Sequence, residues 1–415
     1  GLPIAGCILL AASSVALMSG GQLLDFATIA GNSINGAVAN NVGLTIVLFM
    51  IAGDFMAKGK LTEKIFDTFA YFFGKKKGFM PIISILTCMF YGAISGSGPA
   101  TVAAVGSMTI PILTELGYEL SFSTAIVAVA GGLGVIIPPS IPFIMYGMAS
   151  GTSVSKLFLA GIIPGLMIGF LLMLYAVYYC KRFGEDKKRI ASEVEKLHKK
   201  GLFTVLKESF FALLSPVIIL GCIYSGIASP TEAAVISVFY AFIISLFVYR
   251  SIHLNQIWQI LTEATRTFTP ILFILASSTA FSRVLTLMQV PQTVSSFIIN
   301  NFHSHIAILL VINLFLLIVG MVMDTTPAIL ILTPILLPII KAIGMDPVQF
   351  GAIMVVNLAI GFVTPPIGVN LFVASSLTDV PVMNIARKAM PMICLFLLAL
   401  LLITFIPAIS MALVA

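Results

Sequence analysis

Long apolar runs, most of them longer than a soluble helix needs, alternate along this chain with short polar segments. With ~20 apolar residues per crossing, the pattern predicts nine membrane spans, at about 1–19, 39–57, 120–150, 155–180, 208–228, 232–250, 268–288, 348–377 and 388–413. Two further apolar stretches, 79–115 and 306–343, each divide into shorter segments around a polar tip, YGAISGSGPAT in the first and GMVMDTTPA in the second. These tips are too polar for lipid and too closely flanked by apolar residues for surface loops. They are predicted to be re-entrant helical hairpins, with tips buried in protein near the membrane centre, where non-helical backbone is tolerated.

The pattern also repeats at an offset of 227 residues. Pro138 and Pro139 in GVIIPPSIPF return as Pro365 and Pro366 in GFVTPPIGVN, each pair preceded by a glycine, Gly134 and Gly361. The same offset relates Pro111 to Pro338, Gly117 to Gly344 and Pro164 to Pro391. Tandem prolines inside long apolar stretches predict two broken transmembrane helices in corresponding halves. That is the sequence mark of a secondary transporter's binding site.

Composition and charge add class and orientation. The chain is 59% hydrophobic and 9% charged, with mean hydropathy +1.12, which excludes an ordinary soluble domain. Cys7, Cys88, Cys180, Cys222 and Cys394 stand singly with no CxxC spacing, so they read as small buried hydrophobes. If the hairpins do not cross, one set of loops carries nineteen of the twenty-two Lys and Arg, and that set is cytoplasmic. The first hairpin then enters from the cytoplasm, after GKKKG, and the second from the opposite side, after PQTVSSFIINNFHSH, so the repeats are inverted. The stretch KRFGEDKKRIASEVEKLHKKG is an amphipathic linker at the inner headgroup surface. Net charge of +6 arises from this sidedness and gives no reason to expect nucleic acid. The opening GLPIAGCILL lacks an initiator Met and reads as mid-helix, so a segment preceding Gly1 is expected.

Within the hairpins and breaks, several half-helices begin inside the protein, where unpaired N–H groups and positive dipole ends suit an anion such as a carboxylate. Candidate substrate ligands are Ser95, Ser97 and Thr101 on the first tip, Ser140 after the first break, Asp324, Thr325 and Thr326 on the second tip, and Asn370 after the second break. Before the prolines, carbonyls lose their helical donors. Carbonyls and hydroxyls converging without a carboxylate cage suit Na+. Two pseudo-symmetric sodium sites are predicted, Ser95, Gly134 and Ile137 with Pro139, and Gly320, Gly361 and Thr364 with Thr325 and Ile367. Asp324 is an acid near the membrane centre, a costly placement that points to function. Asp54 and Arg283 lie near span ends. Glu232 in SPTE reads as a helix N-terminal residue, and His303 with His305 lacks the acidic or cysteine partners of a metal site.

GAISGSGPATVAAVGSMTIP with GGLGVIIPPSIPFIMYG, and MVMDTTPAILILTPILLPI with GFVTPPIGVNLFVASS, resemble the large membrane subunit of tripartite ATP-independent periplasmic (TRAP) transporters over essentially the whole chain. The resemblance implies an all-α polytopic, inverted-repeat, elevator-type importer of the bacterial inner membrane, driven by a sodium gradient with Na+ as coupling ion. It also implies a small integral membrane subunit, sometimes fused N-terminally, and a periplasmic substrate-binding protein that delivers an organic acid. The expected division is 1–78 scaffold, 79–150 moving domain, 151–305 scaffold with the linker 181–207, 306–377 moving domain and 378–415 a C-terminal scaffold helix.

The wording around GVIIPPSIPFIMYG and FGEDKK is similar to the sialic acid branch, with a C4-dicarboxylate as the alternative cargo. One carboxylate and many hydroxyls suit a pocket of serines, Asn370 and an acceptor such as Asp324, with Ser95 and Ser140 holding the carboxylate. An ion channel, the alternative from another class, fits re-entrant hairpins, but the inverted repeat favours alternating access. An intramembrane protease lacks a base for Ser97 and a second acid for Asp324.

Overall fold

The computed structural model describes residues 4–18, 28, 30–32, 35, 36, 41–74, 78–184, 186, 189, 190, 192, 195, 198, 199, 201–302 and 304–414. The expectations placed on 1–3, the lysines of GKKKG, parts of the linker 181–207, and His303 lie outside the described residues. Among the described residues the fold is helical, with no strand.

The predicted spans appear as α1 Ile4–Met18, α2 Asn41–Lys58, α8 Val154–Phe183, α9 Leu202–Tyr224, α10 Pro230–Ile243, α11 Leu254–Leu287 and α17 Val382–Phe405. A π-helical turn, Ile244–Val248, extends α10. The first hairpin is α4 Phe79–Ser95 and α5 Gly98–Glu115, and the second is α13 His305–Val322 and α14 Thr325–Ala342. The broken helices are α6 Leu120–Gly131 with α7 Ile141–Ser150, and α15 Pro347–Gly361 with α16 Val369–Thr378. Both Pro138–Pro139 and Pro365–Pro366 bonds are cis.

Two segments expected to be loops are helices. α3, Leu61–Phe73, lies in the lysine-rich segment after α2, and it buries Leu61, Ile65, Phe66 and Ala70 on one face. That spacing is a helical stripe, while Lys64 stands half-buried and Glu63 exposed on the rest of the surface. α12, Val290–Asn301, follows with Pro291 in its first turn, a position that tolerates proline's missing donor. A short α18, Pro407–Met411, closes the described chain.

The repeats interlock. α16 packs on α5 and α6 of the first repeat, while α7 packs on α14 and α15 of the second. Each post-break helix thus sits on the hairpin and first half-helix of the other repeat, the reciprocity expected of a pseudo-two-fold. α2 packs on α10, and α3 on α9. The division drawn from sequence grouped α8 and α17 with these scaffold helices. In the structure α8 packs on α4, α15 and α17, and α17 on α6 and α15. Uninterrupted apolar spans look alike in sequence whichever body they line, so hydropathy carried no sign of this partnership. The cysteines are unbridged. Cys88 and Cys180 are buried, whereas Cys7 and Cys394 lie on exposed helix faces rather than in the interior.

Candidate functional site

The first hairpin turns within two residues because each has a suited role. Gly96 supplies the left-handed conformation that ends α4, at φ 62°. Ser97 then caps α5 by accepting from the Ala100 N–H at 3.5 Å. Pro99 occupies the first turn of α5, where its missing N–H costs nothing. In the second hairpin Asp324 is the cap, accepting from the Thr325 N–H at 2.6 Å and the Thr325 hydroxyl at 3.3 Å. Ser97 and Asp324 are related by the 227 offset, so the repeat conserves the role while changing the charge.

Each tip docks on its own repeat's break. The Gly96 carbonyl accepts from the Ile141 N–H at 3.2 Å, and the Met321 carbonyl from the Ile367 N–H at 3.2 Å. Glycines allow the approach: a Cβ on Gly92 would stand 2.5 Å from the Gly134 Cα, and one on Gly361 would stand 2.6 Å from the Gly320 Cα.

At the first junction Ser95 is buried, with its Oγ 3.1 Å from the Thr101 Oγ1 and 3.4 Å from the Ser97 carbonyl oxygen. The Thr101 hydroxyl donates to the Ser97 carbonyl at 2.7 Å. Gly134 lies against this group, since a Cβ there would be 2.9 Å from the Ser97 carbonyl oxygen. The break is partly self-satisfied. Pro138 and Pro139 remove the donors for the Gly134 and Val135 carbonyls, and Val135 instead accepts from the Ser140 hydroxyl at 2.5 Å. Among the described residues no backbone N–H bonds the Gly134 or Ile137 carbonyl. Pro139 presents its carbonyl to Gly96, 2.8 Å from where a Cβ would sit. The structure therefore brings Ser95, Thr101, Gly134, Ile137 and Pro139 to one junction.

The second junction gathers Gly320, Gly361, Thr364, Ile367 and the cap pair Asp324 and Thr325. The Gly361 carbonyl accepts from the Thr364 N–H at 3.2 Å, and the Thr364 hydroxyl donates to the Ile360 carbonyl at 2.7 Å. Thr325 and Thr326 are buried in the first turn of α14.

Two predicted ligands are placed differently. Ser140 is fully buried, and its hydroxyl donates to Val135 while accepting from the Phe143 N–H at 3.3 Å. Its capacity is committed to capping α7 and closing the break. Asn370 does not join the second tip. Its side-chain amide donates to the Ala128 carbonyl at 3.1 Å across the repeat interface, and its Oδ1, beside Gly98, is buried with no partner among the described residues. Arg283 is exposed on α11, and Glu232 closes a capping box with Ser229, accepting from its N–H at 2.7 Å.

Sequence reasoning missed one polar cluster. The Asn357 amide donates to the backbone and side-chain oxygens of Asn313, both at 2.9 Å. The Asn313 amide in turn donates to the Leu309 carbonyl at 2.9 Å and the Thr404 hydroxyl at 3.3 Å. The only signal was an asparagine inside each of two largely apolar helices, with nothing in sequence to pair them.

These features define a helical membrane transporter with paired hairpins and broken helices. The YdaH transporter of Alcanivorax borkumensis has the same fold, with TM-score 0.65 at 14% identity over 92% of this chain and 88% of that one. The family described as "Tripartite ATP-independent periplasmic transporter, DctM component" matches residues 1–409. The chain belongs to this family, the large permeases of TRAP transporters, and is a multi-pass protein of the inner membrane. It is 44% identical to the isethionate TRAP permease DctMQ of Oleidesulfovibrio alaskensis over 99% of its own length, and spans 64% of that relative. It is 40% identical to the C4-dicarboxylate large permease DctM of Pseudomonas aeruginosa, covering 89% of this chain and 85% of that one. The sialic acid large permease SiaM of Vibrio cholerae is 31% identical, over 100% and 95%. All three are named as transport permeases, which is not an enzymatic role.

Proposed function

We propose that this chain couples the inward movement of Na+ to import of an organic acid, by carrying both across the membrane in a body that moves against a fixed scaffold. The observation that carries this reading is the matched pair of docked tips, Gly96 on Ile141 and Met321 on Ile367. Each assembles hydroxyls and carbonyl oxygens at a point in the interior of the fold. Sodium is held at the first junction by Ser95, Gly134, Ile137 and Pro139, with the Thr101 hydroxyl, and at the second by Gly320, Thr325, Gly361, Thr364 and Ile367. Bound sodium clamps each tip to its break. The organic acid lies between the tips, facing the α5 and α14 N-termini with Ser97, Thr326 and Asp324.

The moving body comprises the hairpins and broken helices together with α8 and α17, whose packing is on them. The scaffold comprises α2, α3, α9, α10 and α11. A small membrane subunit and a periplasmic binding protein complete the system, the former matching the fused character of the relative that this chain only partly spans.

For the cargo, the higher identities to permeases named for isethionate and C4-dicarboxylates than to one named for sialic acid favour a small organic anion. Sialic acid, the cargo expected from the sequence, stands as the competing reading and is distinguished by direct uptake.

Sodium binding is tested by thermal unfolding of the purified chain in Na+ against K+. A ligand at 100 times its Kd stabilises by about 2.7 kcal/mol, so Na+ should raise the Tm and K+ should not. Thr101→Val and Thr364→Val should each raise the Na+ concentration needed by about tenfold, the equivalent of ~1.4 kcal/mol for a lost ligand. Equal stabilisation by K+, or unchanged Na+ dependence in both variants, would remove the two sites.

A further inference from the structure

At the charged end of the scaffold a groove of about 970 Å³ opens between the turn after α2, the start of α9 and the turn after α10. Four cations line it, Lys60, Lys64, Lys207 and Arg250, against two carboxylates, Glu63 and Glu208. Lys64 is neutralised by Glu208 at 2.5 Å. Among the described residues the side chains of Lys60, Lys207 and Arg250 have no ion-pair or hydrogen-bond partner, which leaves a concave surface with uncompensated positive charge.

The cations are held in place by local structure. Lys60 and Arg250 both sit in the left-handed region, at φ 59° and 49°, which is unfavourable for residues with a side chain. Their turns are tied together, because the Ser251 hydroxyl donates to the Gly59 carbonyl at 3.0 Å and the Ser245 hydroxyl to the Phe55 carbonyl at 3.1 Å. The third wall is pinned by the Ala212 N–H, which donates to the Tyr249 hydroxyl at 3.1 Å. Lys207 projects from α9 two turns after Gly201, whose position at the helix start has no side-chain cap, so the positive end of α9 adds to the same field.

The rim is apolar. On the groove wall Phe203 is 81% exposed and Val248 is 42% exposed. Exposed apolar side chains beside a basic recess suit a membrane interface, and this end of the molecule is the one the lysine distribution assigns to the cytoplasm. A free polar solute would use the recess but not its apolar wall.

We propose that this groove binds the headgroup of an anionic phospholipid of the inner leaflet, with the phosphate at Lys60, Lys207 and Arg250 and the chains leaving past Phe203. None of its lining residues belongs to a hairpin or a break, and the site does not depend on the sodium or cargo assignments.

Native mass spectrometry of the delipidated full chain, titrated with phosphatidylglycerol or phosphatidylcholine in mixed micelles, tests it. Each cation near the surface contributes about fivefold to anionic lipid binding. The variant Lys60→Ala/Lys207→Ala/Arg250→Ala should therefore lose on the order of 100-fold in phosphatidylglycerol affinity, and Lys207→Ala alone, a milder change should the triple variant not fold, about fivefold. A control, Lys181→Ala/Arg266→Ala/Arg387→Ala, removes three exposed cations outside the groove and should retain binding. Equal retention of phosphatidylglycerol and phosphatidylcholine, or loss in the control matching the triple variant, would overturn the site. Displacement by millimolar inorganic phosphate, with no preference for the lipid, would overturn the lipid assignment.

Discussion

Gly361 meets Gly320 backbone to backbone: a Cβ on Gly361 would lie 2.6 Å from the Gly320 Cα, inside any real van der Waals contact. This contact closes the second hairpin onto the second break, and Gly92 with Gly134 makes its counterpart in the first.

Gly361→Ala should therefore force the hairpin off the break. The obstructing atoms are backbone and cannot rotate away, so a cost of about 1–3 kcal/mol is expected, read as a lowered Tm together with loss of sodium stabilisation. Gly221→Ala, where a Cβ meets nothing within 4 Å, should leave both unchanged or slightly improved, since alanine is the better helix residue.

Much of this arrangement was legible in the sequence, because prolines and glycines that break apolar helices leave marks that hydropathy and a fixed offset reveal. The register of the tips was not. The 227 offset pairs Gly320 with Ala93, whereas the structure gives Gly320 the role of Gly92, a one-residue slip absorbed in the tips. Asn370 is legible in sequence as a candidate ligand after the second break, but not its partner: α16 packs on the first repeat and carries the side chain to Ala128. Long-range exchange of this kind has no local signature. α3 lies in a lysine-rich segment that hydropathy assigns to a loop, because its thirteen residues are too few to span a bilayer and its helical stripe is masked by charge.

Asp324 separates two roles that one residue holds. Asp324→Asn keeps an oxygen that can cap the Thr325 N–H and should preserve the Tm, while Asp324→Ala removes the cap and should cost ~1 kcal/mol. If its carboxylate also accepts from cargo hydroxyls, both variants weaken cargo affinity by a similar factor, measured as the half-saturating concentration for uptake. Wild-type affinity in both would confine Asp324 to capping.

The Asn313 and Asn357 pair should behave as a coupled unit. Asn357→Leu leaves the Asn313 Oδ1 without the amide that satisfies it, at a cost of about 1–3 kcal/mol. In Asn313→Leu/Asn357→Leu much of that loss should be recovered, because both members of the pair are replaced by apolar groups. Strictly additive losses in a thermal-unfolding cycle would show that the two side chains do not support each other.

The most direct test of the central claim is uptake into proteoliposomes containing this chain with its small partner, using labelled isethionate, succinate and sialic acid delivered by the cognate binding protein. Saturable uptake of an organic acid that requires an inward Na+ gradient is expected. For a monoanion carried with two Na+, an inside-negative potential should accelerate it, since each net charge gains about 2.3 kcal/mol per 100 mV. Uptake that proceeds equally in K+ would contradict the account.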